Sequence, residues 1–256
     1  LYTVSRLMTA NCELNFNINL YCLVLYFKAN YIQVCKRDQT TINDCARQSI
    51  ETLRPRLGVG LPELGVPGIE PFYIPEVIVI LIISGSHIPL SAVGKDVKVT
   101  GAGNFTIKSL VVDLETLTIR VRVRFPRLHL DGRYSVDTQI LVVPLKGQGS
   151  LKSDAVKCDA DLTLKARLEE RNGVQYMRFT SLHTDVSIKD YFIRLEGLFN
   201  GDKVLGDATN QAINQNRGEF LKAVKPYLEG TVSKLFLDIA NKVIDDIPYD
   251  DILPLP

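Results

Sequence analysis

Apolar and polar residues alternate along the middle of the chain, the pattern of strands that bury one face. In residues 118–125 four apolar residues alternate with three arginines. The dipeptide Asn172-Gly173 is typical of a tight hairpin turn, and Asp131-Gly132 is a second signal of this type. We therefore predict an antiparallel meander of long strands with one apolar face and one polar face.

Two segments have helical periodicity instead. Apolar residues recur at intervals of three and four from Thr41, and this helix is predicted to end at Pro55. The same spacing extends from 207 to 246, which indicates one long helix or two in line with a kink at Pro226. Its broad apolar stripe has to be enclosed. The prediction is an α+β fold, a long, strongly curved antiparallel sheet wrapped around a long C-terminal helix, with a short N-terminal helix.

The N-terminal region differs in composition from the rest. The apolar run from Ile18 to Phe27 has the length of a secretory signal and is too short to span a membrane. Residues 1–34 are therefore predicted to be a cleaved signal peptide, or alternatively a poorly defined N-terminal segment. Residues 35–256 then form a single domain of a secreted, extracellular protein.

Cysteine usage fits that compartment. Cys35 and Cys45 lie ten positions apart and form a natural disulfide pair in a secreted chain. Metal binding is the alternative, although no second Cys or His pair follows at ligand spacing. Cys158 is left over and is predicted to be a buried free thiol. Asn104 begins an Asn-Phe-Thr sequon and is predicted to be a glycosylation site.

Composition and motifs argue against several classes of function. The net charge is +1, which gives no bulk attraction to nucleic acid. The three histidines are isolated, and we find no nucleophile elbow, metalloprotease motif or phosphate-binding loop. The arginines of residues 118–125 are predicted to form a solvated face paired with Asp137, Asp159 and Asp161. We therefore predict a protein without catalytic residues, metal or cofactor.

A sheet wrapped loosely around a helix encloses an apolar tunnel, which suits an elongated hydrophobic molecule. The alternative is a fully packed core. Inward-facing residues of the strands and the helix are predicted to bind the ligand, with Tyr176 as a polar contact. The full predicted set is Val121, Val123, Phe125, Leu162, Leu164, Tyr176, Phe220, Val224 and Leu228.

Several long motifs resemble one known family, the insect takeout and juvenile hormone-binding proteins. The N-terminal motif is CKRDQTTINDCARQSIETLRPRLGVGLPELGVPGIEPFYIPEV, and the central one is VRFPRLHLDGRYSVDTQILVVPLKGQG. The C-terminal half contributes LFNGDKVLGDATNQAINQNRGEF and LDIANKVIDDIPYDDILP. The resemblance extends from about Cys35 to the end of the chain.

The resemblance implies a fold of the tubular lipid-binding superfamily, secretion, and binding of juvenile hormone-like terpenoids, fatty acids or other lipids without catalysis. It also implies the Cys35–Cys45 disulfide. Hormone-binding members typically have a second disulfide, so the unpaired Cys158 favours the takeout branch. We expect a monomer without stable membrane insertion. A membrane-surface or lipopolysaccharide-binding protein is the alternative, against which the near-zero net charge argues.

Overall fold

The computed structural model describes residues 32–81, 90–140 and 143–256, and all of these except residues 32 and 33 belong to a compact unit that begins at Val34. Almost all of the predicted signal segment, and also His87, lie outside the described residues. Within the described part of the chain, no helix is both long and apolar enough to cross a membrane.

One antiparallel sheet of six strands dominates the unit. Its strands are joined in the order β3-β4-β6-β7-β8, and β5 pairs with the first half of β6 beyond the end of β4. The long strands β6, β7 and β8 pair along almost their whole length. A separate pair of two-residue strands, β1 and β2, precedes the sheet. The strand bounds are β1 Gly60–Leu61, β2 Val66–Pro67, β3 Phe72–Leu81, β4 Leu90–Thr100, β5 Thr106–Asp113, β6 Thr118–Ile140, β7 Val143–Arg171 and β8 Val174–Leu195.

The structure confirms one of the two predicted turns. Asn172 and Gly173 join β7 to β8 with positive φ angles of 54° and 81°, as a type I′ turn requires. The hairpin turn predicted at Asp131-Gly132 is wrong, because both residues lie inside β6. A Cβ atom on Gly132 would lie 3.0 Å from the side chain of Val97, beside a register shift in β4. The glycine therefore serves a close approach of two strands and not a turn.

The helices also depart from the predicted boundaries. Helix α1 spans Ile42–Leu57 and includes Pro55, which was predicted to end it. The C-terminal segment forms α2, Lys203–Gln215, and α3, Arg217–Ile244, followed by the short α4, Tyr249–Ile252. The interruption lies at Asn216, whose backbone leaves helical geometry at φ −107° and ψ 28°. Pro226 lies inside α3, so the division into two helices falls at Asn216 and not at this residue.

Helix α3 lies against the inner face of the sheet, as predicted. Its apolar residues pack on the core of β3 and β4, and Phe236 stacks on Phe72 with 5.2 Å between ring centroids. Its other side runs along β8, where Ser233 donates a hydrogen bond to the buried Thr184. The α+β architecture of a strongly curved antiparallel sheet around a long C-terminal helix is confirmed.

Amide side chains of α2 cover the open edge of β8. The Oδ1 atom of Asn210 accepts from the backbone N–H of Leu195 at 2.8 Å, and its Nδ2 donates to the same residue's carbonyl at 2.9 Å. Asn214 repeats this pair of bonds with Ile193 at 2.9 and 2.7 Å. Four helical residues rise roughly 6.0 Å, while two strand residues rise roughly 6.6 Å. Because these two distances nearly match, amide side chains four residues apart on the helix can bond to alternate residues of the strand, as a neighbouring strand would.

The outer edge of β5 is covered in the same way. Asn43 of α1 accepts from the N–H of Val112 at 2.7 Å, and Gln39 donates to the carbonyl of Val112 at 2.7 Å. Gln39 also accepts from the N–H of Leu114 at 3.0 Å. Parts of two open edges of the sheet are thus paired with side chains, which satisfies the backbone groups bonded there and hinders edge-to-edge association.

The predicted disulfide is present. Cys35 and Cys45 are bonded, with Cα atoms 5.8 Å apart, and they join the segment before α1 to its first turn. Cys158 is buried and free, as predicted, and burial raises the pKa of its thiol to about 11.

Part of the charge pairing predicted for the outer face of the sheet is present. Arg122 and Arg124 pair with Asp161 and Asp159, each with an N–O distance of 2.6 Å. Asp137 pairs instead with Lys146 of the neighbouring strand at 3.3 Å. The arginine row is therefore neutralised largely within the sheet.

Candidate ligand cavity

An apolar cavity of about 200 Å³ lies between the first half of α3 and the inner face of the sheet. Strands β3, β4, β6, β7 and β8 contribute to its wall, and β5 does not. The residues that line it are Ile74, Val77, Val79, Ala92, Val93, Gly94, Val97, Leu130, Tyr134, Ser135, Val136, Leu151, Ser153, Ala155, Ile188, Tyr191, Ile193, Leu195, Phe220, Leu221, Val224 and Leu228.

Simple periodicities explain how these side chains meet. Tyr191, Ile193 and Leu195 alternate along β8 and face the same side of the sheet. Phe220, Val224 and Leu228 follow one another at intervals of four in α3, which places them on one helix face. The face of β8 that repeats every two residues therefore lies opposite the face of α3 that repeats every four residues, with the cavity between them.

The volume limits what the cavity can hold. An apolar cavity of about 150 Å³ accommodates benzene, whereas pockets for drug-sized ligands measure about 300–1,000 Å³. A cavity of about 200 Å³ thus has room for a ring, a short branched chain or one part of a longer molecule. In the described parts of the chain, the space is a compact cavity at one end of the sheet, shorter than the tunnel that we predicted.

Two tyrosines of the wall have hydroxyl groups that donate to backbone carbonyls. The hydroxyl of Tyr134 donates to the carbonyl of Glu196 at 3.0 Å, and that of Tyr191 donates to the carbonyl of Arg217 at 2.6 Å. Burial raises the pKa of each phenol to about 12, so both remain protonated near neutral pH. These bonds also tie the rim to the loop after β8 and to the start of α3.

The structure separates the predicted ligand residues into two groups. Phe220, Val224 and Leu228 line the cavity. The other six predicted residues lie toward the opposite end of the sheet.

The opposite end is packed with side chains. Val121, Val123 and Phe125 belong to a core cluster with α1 and the disulfide. Leu164 packs in the cluster around Phe179 and the end of α3. Leu162 lies between Val121 and Thr184 in the strand ladder. Tyr176 stacks under the guanidinium of Arg171, 4.9 Å from the ring centroid.

Sequence reasoning missed the contributions of β3, β4 and the end of β8. The alternation of Tyr191, Ile193 and Leu195 was visible in the sequence. Nothing in the sequence showed that the inner face there borders a space, while the inner face near α1 borders a filled core. That difference depends on α1 and the C-terminal residues filling one end.

A second concavity lies outside the sheet, beside α1. It measures about 550 Å³ and is lined by Gln39, residues 111–115 and Arg120. It is wide open and bordered by charged side chains, so it does not remove an apolar ligand from water. We therefore consider the smaller, better enclosed cavity as the ligand site.

The described residues of the cavity wall include no His, Cys, Asp, Glu, Lys or Arg. His129 and His183 are exposed on the outer face of the sheet, and His129 contacts Asp154 there. Among the residues with described positions, no group of three or more His, Cys, Asp or Glu side chains could hold a metal ion. What the lining can do is shield an apolar surface from water.

Comparison with known proteins places the chain in a family. The family model described as haemolymph juvenile hormone binding protein matches residues 17–254. The circadian clock-controlled protein daywake of Drosophila melanogaster is 26% identical over 225 residues, which cover 84% of this chain and 85% of that protein. A Schistocerca gregaria protein that carries the provisional name of a beta-carotene-binding protein is 26% identical over 211 residues, with 81% and 82% covered.

A solved structure shares the fold. The crystal structure of Takeout 1 from Epiphyas postvittana superposes with a TM-score of 0.72 at 23% sequence identity, covering 88% of this chain and all of that one. The family model and the fold agree over most of the chain's length. The chain therefore belongs to the haemolymph juvenile hormone binding protein family, and it shares the fold of Takeout 1.

Proposed function

We propose that this protein is a carrier that binds one hydrophobic small molecule in the cavity between α3 and the sheet. The observation that carries the proposal is a partly enclosed space whose wall is almost wholly apolar, in a family of hydrophobic-ligand-binding proteins. Burying apolar surface contributes about 25 cal/mol per Å², so such a wall gives affinity without any catalytic group. A juvenile hormone-like terpenoid, a carotenoid or a lipid chain has suitable chemistry.

We further propose that the protein acts outside the cell. The disulfide supports this, since such bonds persist in oxidising compartments. In this proposal residues 1–34 are the signal segment and residues 35–256 the single binding domain. Asn104 is exposed at the end of a short turn of helix, where a glycan would not contact the core.

Titration with an apolar fluorescent probe tests the carrier function directly. We expect saturation at about one probe per chain, because a single small cavity accepts one ligand. Mass spectrometry of an organic extract of the purified protein is expected to detect a lipid-like compound. Absence of both probe binding and extracted compound would contradict the carrier function.

A cavity-filling substitution localises the site. Val224→Phe directs a ring from α3 into the cavity, and we expect probe affinity to fall at least about tenfold, while thermal stability changes little because the added atoms occupy existing space. Val204→Phe is the matched control, since Val204 lies on α2 with 80% of its surface exposed. Equal probe affinities for the two variants would show that the probe binds elsewhere.

A further inference from the structure

The cavity wall contains hydroxyl groups, but their protons are already used. Ser153 donates to the carbonyl of Phe192 at 2.9 Å, and Tyr134 and Tyr191 donate to the carbonyls of Glu196 and Arg217. A hydroxyl has one proton to donate. The remaining hydroxyl residue, Ser135, belongs to the exposed row of β6, between the buried Tyr134 and Val136.

Many backbone amides beside the cavity are used as well. Strands β4, β6 and β7 have neighbours on both sides and take part in two ladders, while β3 and β8 are edge strands. Strand β8 is an edge strand, yet the N–H groups of Ile193 and Leu195 donate to Asn214 and Asn210. The side chains that cover this edge therefore also remove the donors that an edge strand would otherwise present.

Cationic groups near this end are held by acids outside the lining. Arg217 pairs with Asp190 at 2.8 Å, and Lys225 pairs with Asp185 at 2.6 Å. None of these four residues lines the cavity, and no lining residue is basic. Among the described residues of the wall, the hydroxyl protons of Tyr134, Tyr191 and Ser153 are donated within the protein, and no side chain is basic.

We propose that this cavity selects its ligand by head group, accepting neutral molecules through their hydrocarbon part and excluding ionised carboxylates. This inference rests on the proposed carrier function and specifies its ligand class. An ionised carboxylate only accepts hydrogen bonds, so burying it here removes its water without providing a donor. An alcohol carries its own proton, which can be donated to a hydroxyl or carbonyl oxygen with a spare lone pair.

Competition between two short ligands tests the inference. Octanol and octanoate are each titrated against phenylnaphthylamine bound to the wild-type protein, and both are short, so the head group approaches the cavity. At about pH 7.5 we expect octanoate to bind at least tenfold more weakly than octanol. Below about pH 4.3, where the carboxyl group is protonated, the difference is expected to shrink because the acid then carries a donor.

The outcomes separate the two proposals. Probe binding together with equal affinity for octanol and octanoate at neutral pH would overturn the head-group selection and leave the carrier function intact. Failure of the probe itself to bind would contradict the carrier function. Octanoate that stays weak after protonation would also overturn the inference, since the missing donor would not be the cause.

Discussion

Replacing both Asn210 and Asn214 with alanine is expected to lower the free energy of unfolding by about 4 kcal/mol, the largest effect that we predict. Each substitution leaves one backbone N–H of β8 without its partner, and an unsatisfied buried donor costs about 1–3 kcal/mol. Asn210 is itself 7% exposed and makes three hydrogen bonds, to both backbone groups of Leu195 and to the carbonyl of Gly206. Water therefore cannot replace these bonds easily.

Urea denaturation of the double variant and of Gln211→Ala measures the effect. Gln211 lies on the same helix but is exposed, so its loss is expected to cost less than about 0.5 kcal/mol. Similar losses for the two proteins would mean that the amide pairs contribute nothing particular to stability.

The same double variant is expected to associate with itself. An unpaired strand edge is a template for another strand, and removal of the two amides exposes backbone groups near the end of β8. Size-exclusion chromatography over a range of protein concentrations should show a monomer for the Gln211→Ala control and larger species for the double variant. A monomeric double variant at every concentration would show that α2 shields the edge by its bulk alone.

Removing the disulfide is expected to have the second largest effect on stability. The Cys35→Ser/Cys45→Ser protein should lose a little under about 3 kcal/mol, because the bond closes a short loop and constrains the unfolded chain. The loop also holds Arg37, which donates to the carbonyl of Leu253 at 3.1 Å and pairs with Asp250. Loosening it should therefore affect contacts of the C-terminal residues.

Thermal unfolding with and without a reductant provides the control. The wild-type protein should lose stability on reduction, and the double serine variant should not respond. Cys158 does not complicate the result, because its thiol is buried and its raised pKa keeps it protonated at neutral pH. A wild-type protein equally stable under both conditions would contradict the prediction.

Local chemistry explains which features could be predicted from the sequence. The period of two along residues 118–125 and the turn at Asn172-Gly173 depend on neighbours in the chain, and the structure confirms both. The pairing of Cys35 with Cys45 depends on a spacing of ten residues and is also confirmed. The long apolar stripe of the C-terminal segment required a sheet to enclose it, which is the fold observed.

Other features depend on contacts between residues far apart in sequence. Asp131-Gly132 has the composition of a turn, but close packing on Val97 keeps it inside β6. The break between α2 and α3 lies at Asn216, whose amide donates to the carbonyl of Ala212, and not at Pro226. Both positions carry a local signal for an interruption, yet neither interrupts its strand or helix.

The position of the cavity is the clearest case. The sequence by itself determined that an apolar strand face would meet an apolar helix face, because periodicity sets which side chains share a side. Only the tertiary structure decided where that meeting leaves space, next to Val224, and where α1 and Leu253 fill it, around Val123. The physical reason is that a cavity is a difference between the volume enclosed by distant elements and the volume of their side chains, and no local pattern records that difference.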